Sequence, residues 1–332
     1  MLSSVIVPTR CRRELLSRAL SALACQNLEE PFEVVVSIDG PDAGSEETAA
    51  SFGERFPVQV VTGPRGGRAA ACNRALAAAR GAVVAILDDD MAPVPGWLAA
   101  HCRRHPPGSR VCSVGPVPVL IASGDAPIAA YVAARFERHH LRLARPDHRF
   151  SLRDFYSGNA AIRRDVLLGA GGFDEAFAEY GNEDVELSLR LRRAGVEPVF
   201  EPEAVAYQRY DKDIAGLAAD TFAKGRTAVQ FARLHPEAAS SLHLAERHLE
   251  SRRWRLAGSS LLALGRRWPA ADRLLLRASV ASERVPALRR PGVYRFLLDY
   301  FYWRGVESAA GTGLRRGAPQ PSDGRPSLLL HR

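Results

Sequence analysis

The stretch AVVAILDDDMAPVPGW, residues 82–97, joins an apolar run to three consecutive carboxylates and then to a proline-containing turn. The branched apolar residues predict a buried strand that ends at Leu87. Asp88, Asp89 and Asp90 follow this strand directly. Because like charges side by side repel one another, their position after a buried strand indicates a site that needs negative charge.

Three further strand-like runs precede this one, namely SSVIVPT, FEVVVSID and VQVVT. They alternate with segments whose apolar spacing suits helices, LLSRALSALACQN, SEETAASFGERF and RAAACNRALAAAR. This alternation predicts an α/β fold with a mainly parallel central sheet and right-handed crossovers. Since the carboxyl ends of parallel strands form a crevice, we expect Thr9, Asp39 and the three aspartates to meet at one edge of the sheet.

The composition is that of a globular protein. Of the 332 residues, 46% are apolar and 25% are charged. No stretch of the sequence reaches the roughly 18 apolar residues that cross a bilayer, and the N-terminus lacks a signal-peptide pattern, so we expect a cytoplasmic protein. The five cysteines form no CxxC pair, which argues against a zinc site or a disulfide framework.

The net charge of +8 is unevenly distributed along the chain. Residues 1–211 carry 24 basic and 27 acidic side chains, whereas residues 212–332 carry 21 and 10, a net charge of +11. This asymmetry predicts two regions with different surroundings. We interpret residues 212–312 as a basic helical extension and residues 313–332, rich in Gly, Pro and Ser, as a disordered tail.

The segment NEDVELSLRLRRAG combines helix signals with an acidic start. Asn182 is a good N-cap and Gly195 a good C-terminal cap, and the arginines lie in the last turn, so a purely structural interpretation is sufficient. However, a carboxylate at a helix N-terminus stays ionised and can serve as a general base for a hydroxyl group. Glu183, Asp184 and Glu186 occupy that first turn.

Two other patterns indicate phosphate or metal chemistry. Carboxylates at positions i and i+2 after a strand can bind a divalent cation that is shared with a phosphate, although a solvated acidic turn is the alternative. The stretch GPRGGRAAACNRALAAARG places glycines before a helix, where backbone amides and Arg65 or Arg68 can meet a phosphate. Its spacing matches neither the dinucleotide fingerprint nor a Walker loop.

Six elements in a fixed order resemble the family-2 glycosyltransferases, whose catalytic domain has the GT-A fold. They are VIVPTR, VVSIDGPDAGS, GGRAAACNRAL, LDDDMAPVPGW, SGNAAIRR with GGFDE, and GNEDVELSLRLRRAG. The resemblance implies a GT-A domain over residues 1–211, with a nucleotide-binding half (1–120) and an acceptor half (121–211). It implies an inverting, hexosyltransferase-like enzyme with a nucleotide-diphosphate sugar donor, Mn²⁺ or Mg²⁺, and an acceptor hydroxyl on a glycan, a lipid-linked molecule or a small molecule.

The resemblance also implies roles for individual residues. Asp184 falls at the catalytic base, and Asp88 and Asp90 form the DxD-type pair that binds the metal, with Asp88 near the ribose. The residues implied in nucleotide-sugar binding are Pro8, Thr9, Arg10, Asp39, Arg68, Asn73, Asp88 and Asp89. Those implied in the wall between donor and acceptor are Gly158, Asn159, Gly172 and Glu183.

Two positions depart from the family pattern. Many members read ARN where residues 71–73 read ACN, so an arginine contact with the donor is either absent or supplied by Arg68 or Arg74. Many members also place a metal-binding histidine after the final strand, where this chain has Gln208.

Two other functional classes fit an open α/β sheet with a metal carboxylate. A sugar nucleotidyltransferase normally has a glycine- and arginine-rich loop directly after the first strand, but VIVPTRCRREL has no glycine there. A catalytically silent nucleotide-sugar-binding protein would bind a nucleotide sugar at the same sheet edge but would not transfer or hydrolyse the sugar.

The basic extension has its own alternatives. The segments SRRWRLAGSSLLALGRRW and YRFLLDYFYWRG could lie on an anionic membrane beside a lipid-linked acceptor, as peripheral contact at its inner face. Alternatively, their apolar faces pack on the catalytic domain and the arginines are solvated. The charge would also suit nucleic acid, but no recognition motif is present and no nucleic-acid partner is expected.

Overall fold

The computed structural model describes residues 2–245, 252–268 and 270–311. The predicted disordered tail, 313–332, lies outside the described residues. Contacts between Cα atoms divide the chain into two compact units. The first contains residues 1–121, 133–178 and 183–210, and the second contains 122–132, 179–182 and the residues from Asp211 onward.

The first unit begins with the strand and helix alternation that the sequence predicts. Its elements are β1 (Ser3–Thr9), α1 (Arg13–Leu23), β2 (Phe32–Asp39), α2 (Ala43–Ala50), β3 (Val58–Gly63), α3 (Gly67–Ala78) and β4 (Val83–Leu87). The four strands lie in the order β3-β2-β1-β4, and all neighbours in this set run parallel. The α/β prediction is confirmed, and the carboxyl ends of these strands share one edge.

The remaining elements of this unit are shorter, apart from one long helix. They are β5 (Met91–Pro93), α4 (Trp97–Arg103), β6 (Val111–Val114), β7 (Val119–Leu120), α5 (Ile128–Leu143), β8 (Asn159–Arg163), α6 (Arg164–Gly169), α7 (Glu183–Arg193), β9 (Glu197–Phe200) and β10 (Ala206–Arg209). Helix α5 also contributes its first turn to the second unit. The predicted helix after Asn182 is confirmed, and Gly195 ends it with a left-handed φ of 72°.

Strands β8, β6 and β9 complete the large sheet, in the order β3-β2-β1-β4-β8-β6-β9. Strand β8 is antiparallel to both of its neighbours, β4 and β6, whereas β6 and β9 are parallel. The fully buried strand residues Val5, Val36 and Val83 belong to the core on one face of this sheet. The sheet is therefore mainly parallel, as expected.

A second sheet of three short strands has the order β5-β10-β7. Strand β5 starts immediately after the three aspartates, and β10 runs antiparallel to it with Gln208 opposite Met91. The small sheet therefore brings a residue near position 208 to the aspartate run.

The second unit contains the helices α8 (Ile214–Leu234), α9 (Arg252–Arg267), α10 (Ala270–Ser282) and α11 (Pro291–Gly311). Helices α8 and α11 approach each other closely at two glycines. A Cβ atom on Gly225 would lie 3.0 Å from the backbone nitrogen of Val306, and one on Gly305 would lie 2.9 Å from the carbonyl carbon of Phe222. Only a residue without a side chain allows this backbone contact.

The aromatic segment 294–305 is part of the core of this unit. Tyr300, Phe301 and Tyr302 are each less than 5% exposed, and the first two pack with Leu262 and Ala218. Neighbouring helices therefore cover most of the apolar side chains of this segment, and its contact with a membrane stays a prediction. Within the described residues, no helix combines the length and the apolar character that spanning a membrane requires.

Candidate active site

Asp88 is bound by an arginine from helix α3. Arg68 Nε and Nη2 lie 3.0 Å and 2.7 Å from Asp88 Oδ1. The backbone of Asp88 is also fixed, because its N–H donates to the carbonyl oxygen of Gly158 at 3.0 Å. The positive charge of Arg68 therefore balances the negative charge of Asp88, the first of the three aspartates.

Asp89 lies below the surface and joins two strand ends. It is 5% exposed, accepts a hydrogen bond from Thr9 Oγ1 at 2.7 Å, and lies 3.0 Å from Arg12 Nη1. Burial raises the pKa of Asp89, although the charge of Arg12 and the Thr9 hydrogen bond oppose this shift. Both of its oxygens are used inside the protein, which gives Asp89 a role in holding β1 and β4 together at this edge.

The negative charge of Asp90 is balanced less closely by arginine than the charges of Asp88 and Asp89. Burial, followed by the negative charges of Asp88 and Asp89, raises the pKa of Asp90 to about 7. Gln208 Nε2 donates to its Oδ2 atom at 3.2 Å, and Arg12 Nη1 lies 3.6 Å from the same oxygen. Its other oxygen, Oδ1, is buried and has no hydrogen-bond partner among the described residues.

The unpartnered Oδ1 atom of Asp90 bears on whether this site could hold a metal ion. A buried carboxylate oxygen at a cluster of negative charge fits a hard divalent cation, which takes oxygen ligands. In the part of the chain that the structure describes, no three His, Cys, Asp or Glu side chains are grouped so that they could hold a metal ion. A cation here would therefore need oxygen ligands of another kind besides Asp88 and Asp90.

Arg68 also reaches the start of helix α7. Its Nη1 atom donates to Ser157 Oγ at 2.7 Å and lies 3.5 Å from Asp184 Oδ1, and Ser157 Oγ in turn donates to Asp184. Burial would lower the pKa of Arg68, but the charges of Asp88 and Asp184 raise it well above its usual value. A charged guanidinium thus joins the aspartate run to the candidate base.

The carboxylate of Asp184 remains accessible, with 26% of its side chain exposed. It lies in the first turn of α7, at the N-terminal end of this helix. Its neighbour Glu183 is 6% exposed and faces the interior. Of the two adjacent carboxylates, Asp184 is the one that an acceptor can reach.

Asp39 organises the start of helix α3. Its two oxygens accept hydrogen bonds from the backbone N–H groups of Gly66 and Gly67, at 2.8 Å and 3.0 Å, and Arg74 Nη2 lies 3.3 Å away. Gly67 has a φ of 84° and lies against the backbone of Ala178, so this turn requires a glycine. Arg74 therefore stays with Asp39, and of these two helix α3 arginines it is Arg68 that reaches the aspartate run.

Cys72 lies one turn after Arg68 on the same helix but points into the core. Its side chain is fully buried, and burial raises the pKa of its thiol to about 12. It therefore stays a neutral, apolar group. Many family members have an arginine at the position of Cys72. Arg68 lies four residues earlier on the same face of the helix, so it supplies an arginine one turn before that position.

The GGFDE turn is attached to helix α3 by Asn73. Asn73 Nδ2 donates to the Phe173 carbonyl oxygen at 2.9 Å, and Asn73 Oδ1 accepts from the Phe173 N–H at 2.8 Å. Gly172 has a φ of 64°, and a Cβ atom there would lie 2.6 Å from Asn73 Oδ1. Asn73 and Gly172 thus form one contact that shapes this turn.

Gly158 and Asn159 have different surroundings although they are adjacent. A Cβ atom on Gly158 would lie 2.7 Å from Asp88 Cγ, so Gly158 borders the aspartate run directly. Asn159 is fully buried, and its amide bonds to Trp97 Nε1, His101 Nε2 and the carbonyl oxygens of Pro116 and Ala204. The polar atoms of Asn159 are therefore all used in contacts inside the protein. Its prediction as a wall residue stays a prediction.

The family of this chain follows from its match to a protein-family model. The model of the glycosyltransferase-like family 2 matches residues 3–254. The chain belongs to this glycosyltransferase family. The predicted family is confirmed.

Curated relatives of this family-2 glycosyltransferase are distant and longer. An Escherichia coli chondroitin synthase is 30% identical over 231 residues, which cover 58% of this chain and 32% of the synthase. A Mycobacterium tuberculosis pre-mycofactocin glycosyltransferase is 29% identical over 241 residues, which cover 72% of this chain and 49% of that protein. The chain thus spans half or less of the length of these relatives.

Solved structures share the GT-A fold of this glycosyltransferase. A mannosyltransferase from Pyrobaculum calidifontis, in complex with GDP-Man and Mn²⁺, has a TM-score of 0.55 at 21% identity and covers 91% of this chain and 86% of its own. Staphylococcus aureus TarS 1–349 has a TM-score of 0.51 at 18% identity and covers 95% of this chain and 93% of its own. At these identities the comparison shows the fold alone.

Within this family-2 glycosyltransferase, the structure places most predicted site residues along one edge. Asp88, Arg68 and Asp184 form one connected group, and Thr9, Asp89 and Asp90 form another. Pro8 is buried within β1, and Arg10 is partly exposed just beyond it. The structure adds contacts from residues to which sequence reasoning assigned no role.

Arg12 and Ser157 are the residues that sequence reasoning missed. Arg12 contacts Asp89 and Asp90, and Ser157 bonds to both Arg68 and Asp184. A signal existed for each, since Arg12 follows the end of the first strand and Ser157 directly precedes Gly158 in the SGNAAIRR segment. Ser157 lies within a segment that carries the family resemblance, and Arg12 lies two residues after another such segment, VIVPTR.

Proposed function

We propose that this chain transfers a sugar from a nucleotide-diphosphate donor to an acceptor hydroxyl group by single displacement with inversion. The observation that supports this most strongly is the connection between Asp88 and Asp184 through Arg68 and Ser157. It links a carboxylate on the predicted donor side to an accessible carboxylate suited to act as a base. The bound ligands of two structural neighbours, GDP-Man and UDP-GlcNAc, agree with a nucleotide-sugar donor.

Asp184 is the proposed base. Its carboxylate is partly exposed at the start of α7, so an acceptor can reach it. As the acceptor oxygen attacks the anomeric carbon, Asp184 would accept the hydroxyl proton, and the bond from the sugar to the β-phosphate would break on the opposite face. Ser157 and Arg68 orient this carboxylate before the acceptor arrives.

Arg68 is the proposed contact with the donor. A guanidinium presents several N–H groups in a fixed plane, which suits a diphosphate as well as a carboxylate. In this structure those groups bind Asp88, Ser157 and Asp184. A bound diphosphate would share this cation with Asp88, which makes Arg68 a donor-binding residue as well as a positioning residue.

Asp90 and Asp88 would hold a divalent cation, Mn²⁺ or Mg²⁺. The unpartnered Oδ1 atom of Asp90 supports this proposal, and a structural neighbour is a Mn²⁺ complex. The chemistry that such a cation supplies when bound is neutralisation of the charge that develops on the departing diphosphate.

A panel of nucleotide sugars tests the proposal. Transfer to acceptors, or slow hydrolysis by water, is measured with Mn²⁺ for the wild type and for Asp184→Asn. We expect the substitution to lower turnover by about 10²- to 10⁴-fold, because the base is lost, and to leave the donor affinity unchanged. A wild type that binds a donor without turnover would instead favour a silent nucleotide-sugar-binding protein.

We further propose that the basic extension contacts an anionic membrane through α9 and α10. Leu264, Trp268 and Leu274 are 47–49% exposed. Exposed arginines lie close to them in the sequence, namely Arg266, Arg267, Arg273 and Arg277. Apolar side chains among arginines favour the interface of an anionic bilayer, where a lipid-linked acceptor would be presented.

A further inference from the structure

Gln208 is held beside Asp90 by the pairing of two short strands. The backbone N–H of Arg209 donates to the carbonyl oxygen of Asp90 at 2.8 Å, and Gln208 lies opposite Met91 in the antiparallel register. The side-chain nitrogen of Gln208 then donates to Asp90 Oδ2 at 3.2 Å. Main-chain and side-chain contacts together place this amide against the carboxylate.

Two buried oxygens at this contact lack a hydrogen-bond partner. They are Asp90 Oδ1 and Gln208 Oε1, and the statement covers residues 2–245, 252–268 and 270–311. A buried acceptor left unpaired destabilises the folded state, so two at one place require a physical reason. Because the amide nitrogen of Gln208 already donates to Asp90, the oxygen is the atom that remains for a further ligand.

The chemistry of these atoms indicates a hard cation. Carboxylate and amide oxygens are ligands that Mg²⁺ and Mn²⁺ accept, whereas softer metals prefer imidazole or thiolate. The local charge also favours a cation, because three carboxylates, residues 88–90, lie side by side in a run that Arg12 and Arg68 contact.

We propose that Gln208 Oε1 is a ligand of the active-site divalent cation. With it, every ligand that the protein contributes to the metal would be an oxygen atom. This inference rests on the proposed function and adds a residue to it. The amide would take the position at which many family members have an imidazole. An all-oxygen set should bind Mg²⁺ and Mn²⁺ with less preference for Co²⁺ or Zn²⁺ than a set containing a histidine.

The test is metal binding to the full chain, measured apart from activity. Free Mn²⁺ is followed by electron paramagnetic resonance during titration of the wild type, Gln208→Leu, Gln208→Glu and Gln208→His. Tyr207→Phe is the matched control, since Tyr207 is the neighbouring residue on β10 and is 40% exposed. Competition with Mg²⁺ and Co²⁺ then gives the relative affinities of each variant.

We expect Gln208→Leu to weaken Mn²⁺ binding by about tenfold or more, and Gln208→Glu, which keeps an oxygen but loses the donated hydrogen bond, to retain it. Gln208→His should bind Mn²⁺ and shift the preference toward Co²⁺. If Gln208→Leu binds Mn²⁺ as the wild type does, or if the wild type binds none, the inference is overturned. Sugar transfer by the wild type, assayed separately, shows whether the proposed function survives that outcome.

Discussion

Arg68 Nη2 lies 2.7 Å from Asp88 Oδ1, and this contact connects helix α3 to the loop after the central strand β4. The same guanidinium also bonds to Ser157, so one side chain contacts both the aspartate run and the serine beside Asp184. In the proposed mechanism, Arg68 therefore couples donor binding to the chemical step.

Replacing Arg68 with lysine should weaken donor binding. Lysine keeps the charge but loses the planar fork that binds Asp88 through Nε and Nη2 and Ser157 through Nη1, so we expect about a tenfold loss in donor affinity and a further loss in turnover. Calorimetric titration with the active donor and steady-state kinetics measure the two effects. Arg18→Lys, at an exposed position on helix α1, is the control. Equal affinity and turnover for Arg68→Lys and the wild type would contradict this role.

A methyl group at position 158 should displace Asp88. Since a Cβ atom there would lie 2.7 Å from Asp88 Cγ and 3.1 Å from Met91 Cε, the Asp88 side chain must move away from Arg68. We expect Gly158→Ala to lower donor affinity by about tenfold, with a smaller change in thermal stability because a side chain rather than backbone gives way.

Gly169→Ala is the matched control for that substitution. A Cβ atom on Gly169 would meet no other atom within 4 Å, so this variant should bind the donor like the wild type. Donor affinity by calorimetry and the unfolding midpoint are compared for both variants. If Gly158→Ala also binds the donor normally, the Asp88 position is not critical for binding.

The buried histidine behind Asn159 should make the fold sensitive to acid. Burial lowers the pKa of His101 to about 4, and its ring bonds to Ser113 and Asn159. A histidine with a depressed pKa stabilises the folded state above its unfolded pKa of about 6.5, and this stability is lost as the pH falls toward 4. From pH 7 to pH 4.5, His101 should remove about 2 kcal/mol from the free energy of unfolding.

Urea unfolding of the wild type and His101→Gln measures this effect. At pH 7 the variant loses buried hydrogen bonds and should be less stable by about 1–3 kcal/mol. Between pH 7 and pH 4.5 it should lose less stability than the wild type, because glutamine does not titrate. Parallel losses in both proteins would show that His101 is not the group that responds to acid.

The exposed apolar residues of α9 and α10 should mediate binding to anionic vesicles. Trp268→Ser combined with Leu274→Ser removes apolar contact while keeping every arginine, so we expect flotation with anionic vesicles to fall several-fold. Leu141→Ser, which removes a 66% exposed leucine in α5, is the control. Equal flotation with anionic and neutral vesicles, or no flotation of the wild type, would contradict the membrane proposal.

The sequence by itself determined the first half of the sheet and the helix that carries Asp184. In these segments the apolar periodicity, the caps and the charged first turn of α7 all favour the same local structure, so neighbouring residues suffice to predict it. The strands of two to four residues in the small sheet lacked such a signal, because they are too short to show a period. Helix α5 was not anticipated either, despite its 16 residues.

Only the tertiary structure decided how the aspartate run is used. Arg68 reaches Asp88 from 20 residues away, and Gln208 reaches Asp90 from 118 residues away. Asp89 bonds to Thr9 on the neighbouring strand, whereas Asp90 has one oxygen without a partner among the described residues. This difference depends on the strand register and on which side chains the fold places beside each carboxylate. Local sequence carries no information on such distances, because they are set by the packing of segments far apart in the chain.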